Sequence, residues 1–155
     1  MNLAMKKTKK ITSFRTFTRK TQISAGALVL NEQKELLIIH QTVNKYWEFP
    51  KGKQEEKETI WETAVRELKE ETGITKFVRL RRFKEIIEYR FQTPEKISIK
   101  KKVVYFLLRT PQAIKLSSEH DAYKWVKPQL AKKYVKHLNQ QQLIARLVKY
   151  LKYAV

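Results

Sequence analysis

The sequence predicts a mixed α/β domain, and three observations carry the prediction. Stretches rich in β-branched and aromatic residues lie on both sides of one amphipathic helix. Both ends of that helix carry capping signals. Two further helical stretches close the chain, so strands flank a central helix and helices end it, a layered arrangement.

Residues 1–20, MNLAMKKTKKITSFRTFTRK, are basic, rich in Ser and Thr, and without a clear period. They read as a flexible arm ahead of a single domain over 21–155. Three roles are open to the arm: a solvated tail, a phosphate contact, or a mitochondrial-type targeting segment. Strand-like stretches follow at 22–30 and 35–40, joined by Asn31-Glu32-Gln33-Lys34, which suits a hairpin turn. Residues 47–53, WEFPKGK, read as a short strand turning into a loop, with Pro50 fixing φ and Gly52 permitting tight backbone.

Thr59 with Glu62 has the form of a capping box, and Gly73 is a left-handed stop. Between them Trp61, Ala64, Val65 and Leu68 recur at i, i+3, i+4 and i+7 as the core stripe, which turns the acids of the helix outward. Residues 76–91 alternate unevenly and suggest a strand or a bent pair; 97–110, with Val103, Val104, Tyr105 and Phe106, is another strand, and 122–126 a short last one. Helices are expected at 128–138 and 140–153. In the second, Leu143, Ile144, Leu147, Val148 and Leu151 share a face and Arg146, Lys149 and Lys152 occupy other positions. Docking on the core is its ordinary explanation; a partner helix or a membrane surface is the other.

The chain of 155 residues is long enough to bury a core without staples. It has no cysteine, which excludes disulfides and thiolate metal sites and fits a reducing, cytoplasmic compartment. Its apolar runs are too short to span a bilayer, and no secretory signal is read. The net charge is +19, from 34 Lys and Arg against 15 Asp and Glu. Eight of those 15 acids fall between Glu48 and Glu71, while nothing before Glu32 or after Asp121 is acidic. An acidic island in a basic chain suits polyanionic, phosphate-rich substrates with a divalent cation held on the island.

Glu67, Glu70 and Glu71 stand at i, i+3 and i+4 and share one helical face. Like charges at that spacing destabilise a helix by roughly 0.2–0.5 kcal/mol per pair unless a cation sits among them. Hard oxygen donors suit magnesium, with manganese as the substitute.

Gly52, Glu58, Arg66, Glu67, Leu68, Glu70, Glu71, Gly73 and Ile74 together match G-x5-E-x7-R-E-U-x-E-E-x-G-U (U aliphatic) at every defined position, and the segment resembles a Nudix box. The resemblance implies the Nudix α/β/α sandwich around a mixed sheet and hydrolysis of a nucleoside diphosphate linked to a further group. It implies Glu70 and Glu71 as metal ligands, Glu67 as a third ligand or as the base, and Arg66 as the residue that orients a box glutamate. Glu58 then braces the loop, and Lys51 offers a backbone contact to the metal. Glu119, in Ser117-Ser118-Glu119-His120-Asp121, resembles the late acidic ligand of such enzymes, and His120 reads as a hydrogen-bonding loop residue.

Phe49-Pro50-Lys51-Gly52, the strand from Lys101 to Phe106, and Glu119-His120 to Trp125 together look like the diadenosine tetraphosphate hydrolases, over about residues 22–135. That likeness implies base contacts from Tyr89 and Tyr105 and substrate contacts from Lys101 and Lys53; core packing and strand-edge charge are the plain alternatives. RNA pyrophosphohydrolases share the box, and the basic termini suit a nucleic-acid backbone. A binding module on the same fold, without turnover, is the reading of a different class.

Overall fold

The computed structural model describes residues 19–154. The arm expected over 1–20 lies outside them except for Arg19 and Lys20, which open the first strand instead of ending a tail. The sheet is built on β1 (Arg19–Leu30), which runs parallel to β6 (Ser98–Arg109) from Arg19↔Ser98 to Leu30↔Arg109. Strand β5 (Val78–Gln92) pairs antiparallel with β6; it is one strand with a register shift between Leu80 and Lys84, where Arg82 takes φ 66°.

The other edge of β1 is divided. Its centre meets β4 (Lys51–Lys53) through Ala25↔Gly52, and only its tip meets β2 (Leu36–Gln41), at Leu30↔Leu36. The turn between β1 and β2 is the expected one: the Asn31 side-chain oxygen accepts from the Gln33 and Glu35 N–H groups. Beyond it, β2 pairs with both β3 (Trp47–Glu48) and β7 (His120–Val126).

The apolar runs of β1 and β6 are continuous rather than alternating because helices cover both faces of the sheet. Leu28, Leu30, Val103, Tyr105 and Leu107 face one core, filled from the far side by Leu143, Ile144 and Leu147 of α2 (Leu138–Tyr153). Ala25, Ala27, Val29, Val104, Phe106 and Leu108 face the other, covered by Ala64 and Leu68 of α1 (Ile60–Thr72). This is the α/β/α arrangement, with the site helix on one side and the C-terminal helix docked on the other.

Two expectations need correction. Residues 128–138 do not form an α-helix: a six-residue 3-10 helix, Pro128–Lys133, ends before the chain extends at His137. Only Pro128, Ala131 and Val135 are buried there, too little apolar surface to hold a longer helix carrying three exposed lysines and no acid. On α1, Val65 is only half-buried, and the inward stripe is Thr63, Ala64, Leu68, Glu71 and Thr72. The helix is rotated from the expected orientation, so one acid points inward. No helix among the described residues is long and apolar enough to cross a membrane.

Candidate active site

Helix α1 is held at both ends as its sequence implies. The Thr59 hydroxyl accepts from the Glu62 N–H and the Glu62 carboxylate accepts from the Thr59 N–H, while Gly73 ends the helix at φ 73°. The loop before it is fastened by Glu58, which accepts from Arg66 Nε at 2.6 Å, from the Glu55 N–H and from the Thr63 hydroxyl. The Arg66 guanidinium and the Glu55 N–H hold the Glu58 carboxyl down to about 2. That makes Glu58 a brace for the loop.

Strand β4 lies against the acidic face of the helix. At Gly52 a Cβ would fall 2.0 Å from the Glu67 carboxyl carbon, so only glycine lets Glu67 rest on the backbone there. Next to it the Lys51 N–H donates to Glu71 Oε2 at 3.0 Å. Lys51, expected to give a backbone contact to a metal, is held against the box by this bond, which uses its N–H and leaves its carbonyl as the atom such a contact would use. Arg66 Nη1 reaches Glu67 at 2.9 Å and Glu70 at 3.2 Å, and Nη2 donates to the Lys53 carbonyl. One guanidinium therefore sets the positions of Glu58, Glu67 and Glu70 together.

Glu119 arrives from a distant loop. Lys115 and Ser117 donate backbone N–H groups to the Thr72 and Glu71 carbonyls, strapping the loop to the end of α1, and the Thr42 N–H holds the Glu119 carbonyl. A cleft of about 430 Å³ results, lined by Lys51, Gly52, Lys53, Glu67, Glu70, Glu71, Ser117 and Glu119. The expected outward face is thus split: Glu70 has 55% of its side chain exposed, whereas Glu71 is 7% exposed.

Burial, reinforced by the charges of Glu48 and Glu67, pushes the Glu71 carboxyl up to about 9. Burial also raises Glu67, against the opposing pull of Arg66. At neutral pH Glu71 therefore keeps its proton, and any cation entering the cleft must displace it. Four carboxylates around one cleft, with a proton standing where positive charge is needed, make a hard-oxygen donor set that fits a divalent cation such as magnesium.

A second cavity of about 440 Å³ adjoins the cleft, with Lys51 common to both; Tyr46, Glu48, Tyr89, His137 and Gln140 line it. Tyr89 is partly exposed there. Tyr105, expected to contact a base, is wholly buried and packs edge-on to Phe49. It forms part of the floor, with no free ring face to offer. Lys101 stands opposite Tyr89 across the β5–β6 ladder. Burial and the neighbouring charges of Lys51 and Lys53 lower its ammonium to about 8. The three lysines therefore converge beside the acidic cleft.

Sequence reasoning did not single out Glu48, Tyr46 or Gln140, and it treated His120 as a loop residue. His120 opens β7 instead, buried, with Nε2 2.8 Å from Glu48 Oε2. Burial disfavours the Glu48 carboxylate, but the His120 hydrogen bond and the Lys51 charge outweigh it and hold that carboxyl below its usual range. The one signal available in sequence was Glu48 itself, an acid inside an otherwise apolar strand, for which burial requires a partner.

The profile of the NUDIX domain matches residues 20–147. Among curated proteins, "Nudix hydrolase 6" of Arabidopsis thaliana is 44% identical over 71 residues, covering 41% of this chain and 25% of that protein. The "Bis(5'-nucleosyl)-tetraphosphatase [asymmetrical]" of Caenorhabditis elegans is 32% identical over 108 residues, covering 68% of this chain and 76% of that protein. The chain thus spans a quarter of the first of these relatives and 38% and 36% of two further Arabidopsis Nudix hydrolases. Among solved structures, a binary complex of the C. elegans Ap4A hydrolase superposes with a TM-score of 0.74 at 27% identity, covering 84% of this chain and 98% of that one.

Proposed function

The chain belongs to the NUDIX family, and from that premise we propose that it hydrolyses a phosphoanhydride bond in a nucleoside diphosphate linked to a further group, with a dinucleoside polyphosphate such as diadenosine tetraphosphate as substrate. The observation that carries this reading is the junction of two unlike cavities: an acidic cleft opens beside an aromatic one, with Lys51 between them. A nucleotide has the same division into a charged polyphosphate and a flat base.

Glu67, Glu70, Glu71 and Glu119 would hold magnesium, with manganese as the substitute. When bound, such a cation supplies a water of lowered pKa and neutralises phosphate oxygens at the attacked centre. Glu67 rests on Gly52 in a half-buried position that favours proton acceptance, which suits it to take the proton of the attacking water or to serve as a further ligand. Arg66 positions Glu67 and Glu70 through a charged contact to each. Lys53 and Lys101 receive the phosphates away from the attacked bond, and Tyr89 offers a ring to the base. The water oxygen bonds to one phosphorus and the bridging oxygen leaves with the remaining phosphates. The name of the worm tetraphosphatase supports unequal products.

Removal of pyrophosphate from triphosphorylated RNA ends is the second reading, favoured by the net charge of +19 and by exposed Lys132, Lys133 and Lys136 beyond the cleft. Turnover of diadenosine tetraphosphate and of triphosphorylated RNA, measured side by side with magnesium, decides between them: negligible cleavage of the dinucleotide overturns the first. A silent binding module predicts no turnover of either. The complete carboxylate set speaks against that module.

A further inference from the structure

We propose that His120 is a nitrogen donor to the cation site, which makes the cleft select ions such as manganese(II), cobalt(II) or zinc(II) over magnesium. The inference rests on the reading of the cleft as a cation site and adds to it a ligand that the glutamate helix does not contain.

Three observations converge on this ring. One ring nitrogen of His120 and one carboxylate oxygen each from Glu71 and Glu119 all lie within 4.8 Å of one another. The histidine is 5% exposed, and its Nδ1 is buried without a hydrogen-bond partner among the described residues. Its Nε2, in contrast, is committed to Glu48 at 2.8 Å, and Glu48 is itself buried on β3. A carboxylate can only accept, so in the neutral ring the proton sits on Nε2 and the lone pair on Nδ1. A buried lone pair with nothing to accept from carries a desolvation cost of about 1–3 kcal/mol unless something fills it.

A carboxylate that fixes the tautomer of a histidine through the far nitrogen is the usual support for a metal-binding imidazole. Here Glu48 holds the ring, while the buried carboxylate of Glu71 and the loop carboxylate of Glu119 stand beside it. Oxygen donors alone suit magnesium, calcium and manganese, whereas an imidazole nitrogen favours first-row ions over magnesium, least for manganese and more for cobalt and zinc. His120 would thus convert an all-oxygen site into a mixed one. The ring acts as a ligand, with Glu48 as its positioning residue.

The test uses the full chain loaded with manganese(II) and grown with histidine labelled with nitrogen-15 in the ring. Pulsed electron paramagnetic resonance should show a nitrogen coupling that changes isotope with the label and persists in His40→Gln and His137→Gln. The coupling should vanish in His120→Asn, with manganese affinity falling ~10–100-fold and magnesium affinity changing far less. The assignment by elimination needs only His40→Gln and His137→Gln, so misfolding of His120→Asn would leave it intact. Bound manganese without a histidine coupling overturns the proposal and spares the cation site. A coupling traced to His40 or His137 overturns it equally, and a chain that binds no manganese removes the cation reading as well.

Discussion

Helix α1 turns Glu71 inward and lays Glu67 on the backbone of β4, whereas α2 turns Leu143, Ile144 and Leu147 inward and keeps Arg146, Lys149 and Lys152 in solvent. Both helices cover a face of the same sheet. On α2 every buried aliphatic side chain adds to stability, at roughly 1.5–3 kcal/mol for a fully buried leucine or isoleucine. On α1 part of the buried surface is carboxylate, and its stability comes from elsewhere: the capping box, the Gly73 stop and the Arg66 network. The difference locates the fold's tolerated strain beside the proposed chemistry, as expected where function and stability compete.

The sharpest way to break that contrast is to change one side chain on each helix. Glu70→Gln on α1 should lower kcat by at least ~10³-fold, equivalent to about 4 kcal/mol of transition-state stabilisation, with an unchanged melting temperature. Steady-state kinetics beside a thermal scan checks it, and hydrolysis at the wild-type rate would refute the carboxylate site. Leu147→Ala on α2 should do the reverse, costing ~2–5 kcal/mol of stability in denaturant unfolding while kcat of the folded fraction stays put.

Glu71→Gln tests the strain directly. The native carboxyl is raised to about 9 from an ordinary 4.5, so between those values the unfolded chain ionises while the native state holds its proton. Stability contributed by this group is therefore complete below pH 4.5 and declines as pH rises toward 9. The variant does not titrate, and its melting temperature should exceed the wild type's by ~3–8 °C near pH 8–9, with the gap closing by pH 5. Millimolar magnesium should stabilise only the wild type and reverse the order. Equal curves across that range would remove the raised Glu71 carboxyl from the account.

The smallest effect concerns Lys101, beside Lys51 and Lys53. With its ammonium lowered to about 8, Lys101 carries charge below that pH and loses it above. KM for diadenosine tetraphosphate should therefore climb from pH 7.5 to 9, by ~5–10-fold, and Lys101→Met should have the high KM at both pH values. A pH-independent wild-type KM would count against the phosphate contact.

The α/β class was legible from local pattern, because capping, β-branched runs and turn residues act over a few positions. Thr59, Glu62 and Gly73 behave as their spacing implies, and Asn31 closes its turn through its own side chain. Residues 128–138 misled because a lysine-rich segment can show helical spacing without enough apolar surface to support it. Val65 misled for a related reason: periodicity gives the width of an apolar face but not the angle at which it meets the sheet. That angle is what buries Glu71. Tyr105 is on the face of β6 that floors the cavity, as its position allows, but sequence does not say that Phe49 and the surrounding core would bury its ring completely.

By itself the chain's sequence determined the layers, the ends of α1 and the gathering of carboxylates on one helix, all of which follow from chemistry between residues a few positions apart. Only the tertiary structure decided that Glu71 is buried and protonated, that Glu119 and His120 approach it from beyond position 115, and that Lys51, Lys53 and Lys101 meet beside them. Proton affinity and ligand geometry depend on groups distant in the chain and on the water excluded between them, and those distances exist only once the sheet has closed.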